Sequence, residues 1–82
     1  MDSEEYNSVV KQICIFCQEP RLMSEMLHFL DRTDRTKFRK RYIYPMIQED
    51  LLELTIPNKP QSSNQRYLVT EMGKKLIGDE ES

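Results

Sequence analysis

The chain has 82 residues, a formal net charge of −2, and 38% hydrophobic and 32% charged residues. A chain of this length forms one small domain and leaves no room for a deep substrate cavity. No apolar run approaches the roughly 20 residues that span a bilayer, and the acidic N-terminus lacks the basic and apolar regions of a signal peptide. The cysteines number 2, too few for a disulfide framework, so the sequence predicts a cytoplasmic protein without a membrane segment.

The first part of the chain has the apolar spacing of helices. Apolar residues recur three and four positions apart from Ser3 to Cys17, which predicts a first helix with one buried face. A second helix is predicted from Pro20 to Leu30, because the fixed φ of proline suits the first turn of a helix.

A third helix is predicted after a tight connection, with Thr33 as its capping residue. Its inner face is an apolar stripe of Phe38, Tyr42 and Met46. We expect this helix to reach Glu49, with a kink or a new helical turn at Pro45 because proline lacks a backbone donor. Asp50 would then take the left-handed position that usually favours glycine.

The apolar period changes from 3.6 to 2 after Asp50. Apolar and polar side chains alternate over residues 52–56, and Tyr67 and Val69 alternate with Leu68 and Thr70. Residues 57–65 between these runs are rich in Pro, Asn and Ser. This pattern predicts a β-hairpin with a long loop. A short last helix is predicted over residues 71–77, although Gly73 weakens it by about 1 kcal/mol relative to alanine.

Three helices, with a short turn between the second and third, followed by a hairpin predict a winged helix-turn-helix. The expected fold class is mainly α with a small antiparallel β-hairpin as the wing. The domain is assigned to residues 1–77, and residues 78–82 are expected to form a disordered tail.

The net charge hides an uneven distribution. Residues 1–31 carry a net charge of −4, residues 32–41 carry +5, and residues 42–82 carry −3. The basic residues of the middle segment form i, i+4 pairs that avoid the apolar stripe, so they project from the opposite side of the third helix. In a helix-turn-helix, the N-terminal half of that helix meets base edges in the major groove, while Lys and Arg neutralise phosphates.

This arrangement predicts binding to double-stranded DNA. The expected contacts from the third helix and its approach are Arg32, Arg35, Thr36, Lys37, Arg39, Lys40 and Arg41, and those from the wing are Lys59 and Arg66. The polar side chains of the wing loop, from Asn58 to Gln65, also suit sugar–phosphate contacts. The alternative explanation is a solvated basic face and an ordinary polar loop.

No set of residues in the sequence predicts catalysis. A structural zinc site needs four ligands, and His28 is the one soft ligand available besides Cys14 and Cys17. The cysteines occur late in the first helix near its apolar face, which indicates buried thiols rather than a redox pair. Both glycines, Gly73 and Gly78, are near the C-terminus, so there is no glycine-rich phosphate loop. We therefore expect no metal, no cofactor and no enzymatic activity in this domain alone.

The segment from Phe16 to Gly73 resembles a known family of winged-helix domains. The resemblance rests on the runs FRKRYIYP and TIPNKPQSSNQRY. Similar segments end bacterial proteins described as RecG-related ATP-dependent DNA helicases or as transcriptional regulators with an AlbA/Schlafen-type ATP-binding domain, and some Fic-family proteins. The family pattern has an Ala-Gly step where this sequence has Glu49-Asp50. The resemblance implies a DNA-binding accessory module in a larger protein, with any ATPase or helicase activity in other domains.

A second function class stays open at the level of sequence. Winged helices also serve as protein-interaction or dimerisation modules, because a fold does not dictate a function. The acidic first segment favours this alternative. So do Met23, Phe29 and Ile43, if the core cannot hold all of them.

Overall fold

The computed structural model describes residues 2–81, with side chains for residues 4–78. In chain order its elements are α1 (Asp2–Phe16), β1 (Arg21–Leu22), α2 (Met23–Phe29), α3 (Arg35–Phe38), a π-helical turn (Arg39–Ile43), α4 (Tyr44–Gln48), β2 (Leu52–Leu54), β3 (Arg66–Val69) and α5 (Glu71–Glu81). α3, the π-helical turn and α4 follow one another without a break and form the third helix. The predicted fold, a mainly helical winged helix with a small antiparallel sheet, is confirmed.

The sheet has three strands in the order β1-β3-β2, all antiparallel. The predicted hairpin supplies β2 and β3, and the loop from Thr55 to Gln65 completes the wing. The prediction that the second helix starts at Pro20 is wrong, because Arg21 and Leu22 pair with β3 instead. The Leu22 amide donates to a Glu25 carboxylate oxygen at 2.7 Å, which places the start of α2 just after the strand.

One core joins the helices to the sheet. The predicted stripe of the third helix is buried, and Ile43 beside it is fully buried. Its partners are apolar residues from α1, α2 and the strands: Val9, Val10, Ile13, Met26, Leu27, Leu52, Tyr67 and Val69. Neither the sheet nor a single helix could bury its apolar face alone, so the winged-helix arrangement satisfies all of them at once.

Two helices end on an aspartate in the left-handed conformation. Asp31 after α2 has φ 56°, and Asp50 after α4 has φ 62°. At the first end, the Arg32 amide donates to the Leu27 carbonyl at 2.8 Å; at the second, the Leu51 amide donates to the Met46 carbonyl at 2.8 Å. Both are Schellman caps, so the left-handed geometry expected at Asp50 is confirmed.

The last helix is longer than predicted. α5 extends to Glu81 rather than ending at Ile77. Thr70 caps it, because its hydroxyl accepts from the Gly73 amide at 3.1 Å and donates to the Asp50 carbonyl. The tail expected over residues 78–82 includes Ser82, which lies outside the described residues, so its disorder stays a prediction. None of the described helices is long and apolar enough to cross a membrane.

Candidate nucleic-acid interface

The third helix starts one residue later than its predicted cap implies. Asp34, rather than Thr33, is the capping residue, and its carboxylate accepts from the Lys37 amide at 3.0 Å. A carboxylate at a helix N-terminus satisfies a free amide and also interacts favourably with the helix dipole. This one acid in the basic segment is therefore used to begin the helix.

The basic residues of the third helix fall into three rows. At 3.6 residues per turn, residues four positions apart lie above one another. The wing-side row is Arg35 and Arg39, the outer row is Thr36 and Lys40, and the far row is Lys37 and Arg41. All are exposed except Arg39, which is half-buried. The predicted contact residues of this helix are therefore brought together, on three sides of its N-terminal half.

A π-helical turn lies in the middle of these rows. The Tyr44 amide donates to the Arg39 carbonyl, five residues back rather than four. This turn ends two residues before Pro45, whose missing N–H and bulky ring disrupt ordinary α-helical pairing with the preceding turn. The interruption expected at Pro45 is thus accommodated upstream, as a wider turn that carries Arg39, Lys40 and Arg41.

Tyr42 holds two arginines, Arg32 and Arg41, against its ring. The guanidinium carbon of Arg32 lies 5.4 Å from the centre of its ring, and that of Arg41 lies 5.5 Å away. The Arg41 Nε also donates to the Tyr42 hydroxyl at 3.1 Å. These cation–π contacts fix two arginines beside a cavity of about 250 Å³ that Lys37 also lines.

The wing-side row borders a second cavity, also of about 250 Å³, between the third helix, the start of α2 and the wing. The polar lining of this wing-side cavity includes Arg35, Arg39, Ser62, Ser63 and Tyr67. The Arg39 Nε is buried and has no hydrogen-bond partner. Burial raises the pKa of the Tyr67 hydroxyl, and the nearby charge of Arg39 and a hydrogen bond from its guanidinium oppose that rise.

Gln65 gives the wing loop its shape, and sequence reasoning assigned it instead to polar surface. Its side chain is only 2% exposed. Its amide nitrogen donates to the Ile56 carbonyl at 2.6 Å and the Lys59 carbonyl at 2.8 Å, and its oxygen accepts from the Ile56 amide at 2.9 Å. Gln65 is therefore an internal brace. Its place directly before an apolar strand is the one sequence signal that could have indicated this.

The two predicted cationic contacts of the wing differ in their surroundings. Lys59 is exposed on the loop. Arg66 lies 3.7 Å from a Glu25 carboxylate oxygen, and this carboxylate also accepts from the Leu22 amide. Arg66 thus joins β3 to α2, and its role toward DNA stays a prediction.

The predicted burial of the cysteines is confirmed. Cys14 and Cys17 are buried free thiols, and the Cys17 thiol contacts the Met26 sulfur at 3.6 Å. Burial raises the pKa of Cys14 to about 11 and the pKa of Cys17 to about 12. Thiols with such pKa values stay protonated at neutral pH and are poor nucleophiles.

Comparison with known families identifies this arrangement. The family model described as "Filamentation induced by cAMP protein Fic-like, C-terminal domain" matches residues 8–70. The chain belongs to the family of Fic-like C-terminal domains. The matched segment of this Fic-like C-terminal domain contains the third helix, the wing and every predicted DNA contact, and it ends just before α5.

A solved structure supports the same assignment for this Fic-like C-terminal domain. It is similar to the crystal structure of a Fic family protein from Desulfovibrio desulfuricans G20, with 29% sequence identity and a TM-score of 0.58. The match covers 63% of the present chain and 16% of that protein, so the domain corresponds to a small part of it. No curated protein matches the sequence.

Proposed function

We propose that this Fic-like C-terminal domain binds double-stranded DNA through the third helix and the wing. The observation that carries the proposal is the positive charge of four residues of the third helix that have no carboxylate partner. Among the described residues, the ion pairs join Arg66 to Glu25 and Lys74 to Glu71, so Arg35, Lys37, Arg39 and Lys40 have no carboxylate partner. Exposed cations in such density are stabilised by a polyanion.

The three rows suit different parts of the duplex. Thr36 and Lys40 in the outer row point away from the core, where a helix in the major groove meets base edges. The rows on either side carry arginine and lysine toward the two flanking phosphate backbones. Lys59 on the wing adds a further cation for the backbone.

The domain is proposed as a non-catalytic accessory module of a larger protein. The likeness to terminal segments of RecG-related helicases and AlbA/Schlafen-type regulators supports a role in bringing such a protein to DNA for ATP-dependent or transcription-regulatory work. Any ATP binding then belongs to the parent protein, and the remainder of that protein is a candidate intramolecular partner. We also propose that the larger protein is bacterial and is located in the cytoplasm.

Reversal of charge on the third helix tests the proposal. We expect the wild-type domain to bind a duplex with log K falling against log salt with a slope near −3.6, as for about four neutralised phosphates. The double variant Lys37→Glu/Lys40→Glu removes one phosphate contact of the far row and one base-edge contact of the outer row, so the slope should fall to about −2.7 and the affinity should drop. Fluorescence anisotropy of a labelled duplex at several salt concentrations measures both.

The matched control is Lys74→Glu/Lys75→Glu on α5, which makes the same change in net charge on another helix. This control should bind nearly as well as the wild type. Equal loss in both variants would mean that net charge alone matters and would reject the interface. Wild-type binding that does not depend on salt would reject it as well.

A second candidate function, protein interaction, is supported by an aromatic pair at the surface, in which Phe29 is exposed and Phe16 is half-buried. The rings of Phe16 and Phe29 stack with centroids 4.3 Å apart, and Arg21 lies over the Phe16 ring at 4.3 Å. Phe29 and the nearby helix residue Ile15 are each 51% exposed. Of the three apolar residues that the core was expected not to hold together, Met23 and Ile43 are buried and Phe29 is exposed.

A further inference from the structure

The wing-side cavity has the composition of an anion site. We propose that it is a phosphate-binding site and that it holds one phosphate group of the DNA backbone between the third helix and the wing. The second part of this inference rests on the proposed function. Its ligands would be Arg35, Arg39, Tyr67, Ser62 and Ser63. The sequence predicted the two arginines as DNA contacts and placed the two serines among the wing side chains that suit sugar–phosphate contacts, but it did not point to Tyr67.

The first argument is the unsatisfied donor of Arg39. Its Nε–H is buried within a partly exposed side chain and has no acceptor. Buried polar groups in folded proteins nearly always have a partner, so an isolated donor on a side chain that lines a cavity points to an acceptor that binds beside it. A phosphate oxygen is such an acceptor, and the planar guanidinium offers it two parallel N–H groups.

The second argument is charge. Arg35 and Arg39 stand one helical turn apart on the same side of the cavity, and like charges at this spacing destabilise a helix. None of the described residues that line the cavity carries a carboxylate. A bound anion would offset both charges, whereas a neutral ligand would offset neither.

Neutral donors complete the lining. The Tyr67 hydroxyl remains protonated at neutral pH, because burial raises its pKa, and can donate to an anion. Ser62 is fixed in the wing loop, where its hydroxyl oxygen accepts from the Asn64 amide at 3.1 Å, and its hydroxyl proton remains available. Because a water molecule takes up about 30 Å³ of liquid, the cavity of about 250 Å³ has space for a phosphate group with ordered waters.

The position of the cavity identifies the source of the phosphate. It lies between the third helix and the wing, which are the two elements proposed to contact the duplex. A backbone phosphate bound there would fix the wing relative to the helix. A terminal phosphate and free inorganic phosphate share the same chemistry, so the experiment has to distinguish them from an internal phosphodiester.

The first measurement uses inorganic phosphate and does not depend on DNA. In NMR spectra, saturable shifts of the Arg39 Nε–H and of the Ser62 and Ser63 amides are expected. Ser63→Glu places a carboxylate on an exposed residue of the cavity rim and should weaken phosphate binding at least tenfold. Gln18→Glu makes the same change in charge on an exposed residue outside the wing and the third helix and should leave phosphate binding unchanged. The absence of shifts at Arg39, or equal weakening in both variants, overturns the phosphate site whatever the domain does with DNA.

The second measurement uses a duplex without terminal phosphates. This duplex should shift the same Arg39 resonance, and Arg39→Gln should weaken duplex binding about 10- to 100-fold, as for the loss of charge-assisted hydrogen bonds. Lys40→Gln removes the same charge from the outer row and should weaken duplex binding less than Arg39→Gln does. If inorganic phosphate shifts Arg39 but the bound duplex does not, the backbone assignment is wrong. If the duplex does not bind at all, the proposed function fails while the phosphate site stands.

Discussion

Gly73 occupies a position in α5 where no side chain fits. A Cβ added there would lie 2.5 Å from Val69 Cγ2 and 2.6 Å from the Leu51 carbonyl oxygen. The carbonyl cannot move away cheaply, because it accepts from the Thr70 amide at 3.0 Å. We expect Gly73→Ala to destabilise the domain by about 1–3 kcal/mol, since overpacking outweighs the gain of about 1 kcal/mol in helix propensity. The midpoint of urea unfolding measures this loss.

Gly78 in the same helix is the control. A Cβ there would meet nothing within 4 Å. Gly78→Ala should therefore stabilise the domain, by about 0.5–1 kcal/mol at most, because only the propensity of the helix changes. A Gly73→Ala variant as stable as the wild type would show that α5 does not pack this closely on Leu51.

These two glycines mark what a sequence can reveal at the scale of residues. The sequence gives the same propensity cost to both, because that cost depends on residue type. The contact that makes Gly73 necessary joins α5 to residues 51 and 69, and no local pattern reports it. Gln65 was misassigned for the same reason, since a polar residue in a polar loop looks solvated until its three hydrogen bonds are known.

At the scale of elements, the wing depends on Gln65. Gln65→Glu keeps the size of the side chain but replaces its donating nitrogen with an oxygen that faces the carbonyls of Ile56 and Lys59. We expect this variant to lose about 2–3 kcal/mol of unfolding free energy at pH 7, because two hydrogen bonds become repulsive contacts. Chemical denaturation measures the loss, and NMR should locate the disorder in the wing loop.

The pH dependence separates this explanation from a general packing defect. Burial beside two carbonyls favours the protonated form of the new carboxyl and raises its pKa in the folded state. The variant should therefore regain stability relative to the wild type as the pH falls through that raised pKa. Gln61→Glu on the exposed part of the same loop should change stability little at any pH. An equal loss in both variants would contradict the role of Gln65 as an internal brace.

The elements differ in how much of them the sequence predicts. The third helix is predicted well, because its apolar stripe and the interruption expected at Pro45 both follow from residues close together in the sequence. The π-helical turn is not predicted, since the missing N–H of Pro45 is compatible with either a kink or a new helical turn. The strand β1 is not predicted, because two residues are too few to show an alternation of apolar and polar side chains. They form a strand only because they pair with β3. Its formation moves the start of α2 from Pro20 to Met23.

At the scale of the whole molecule, the charge and the apolar surface define two separate faces. The net charge of −2 argues mildly against DNA binding, but it is the sum of a basic segment of +5 and two acidic segments. The structure keeps most of the basic segment together on the third helix. A polyanion within a Debye length of about 8–10 Å of this helix is therefore attracted by the local positive charge, whatever the sign of the net charge. The aromatic pair of Phe16 and Phe29 belongs to α1 and α2 and contains no residue of the third helix.

Phe29→Ser tests which of these faces the domain uses. Because Phe29 lines neither cavity beside the basic rows, we expect the variant to retain wild-type affinity for DNA. Any concentration-dependent rise in mass of the wild type, measured by sedimentation equilibrium, should disappear in the variant if the aromatic pair is an interface. Met72→Ser, which removes another apolar side chain that is 53% exposed, should not affect the mass. Loss of DNA binding in Phe29→Ser, with its fold intact, would instead place the aromatic pair within the DNA interface and contradict the separation of the two faces.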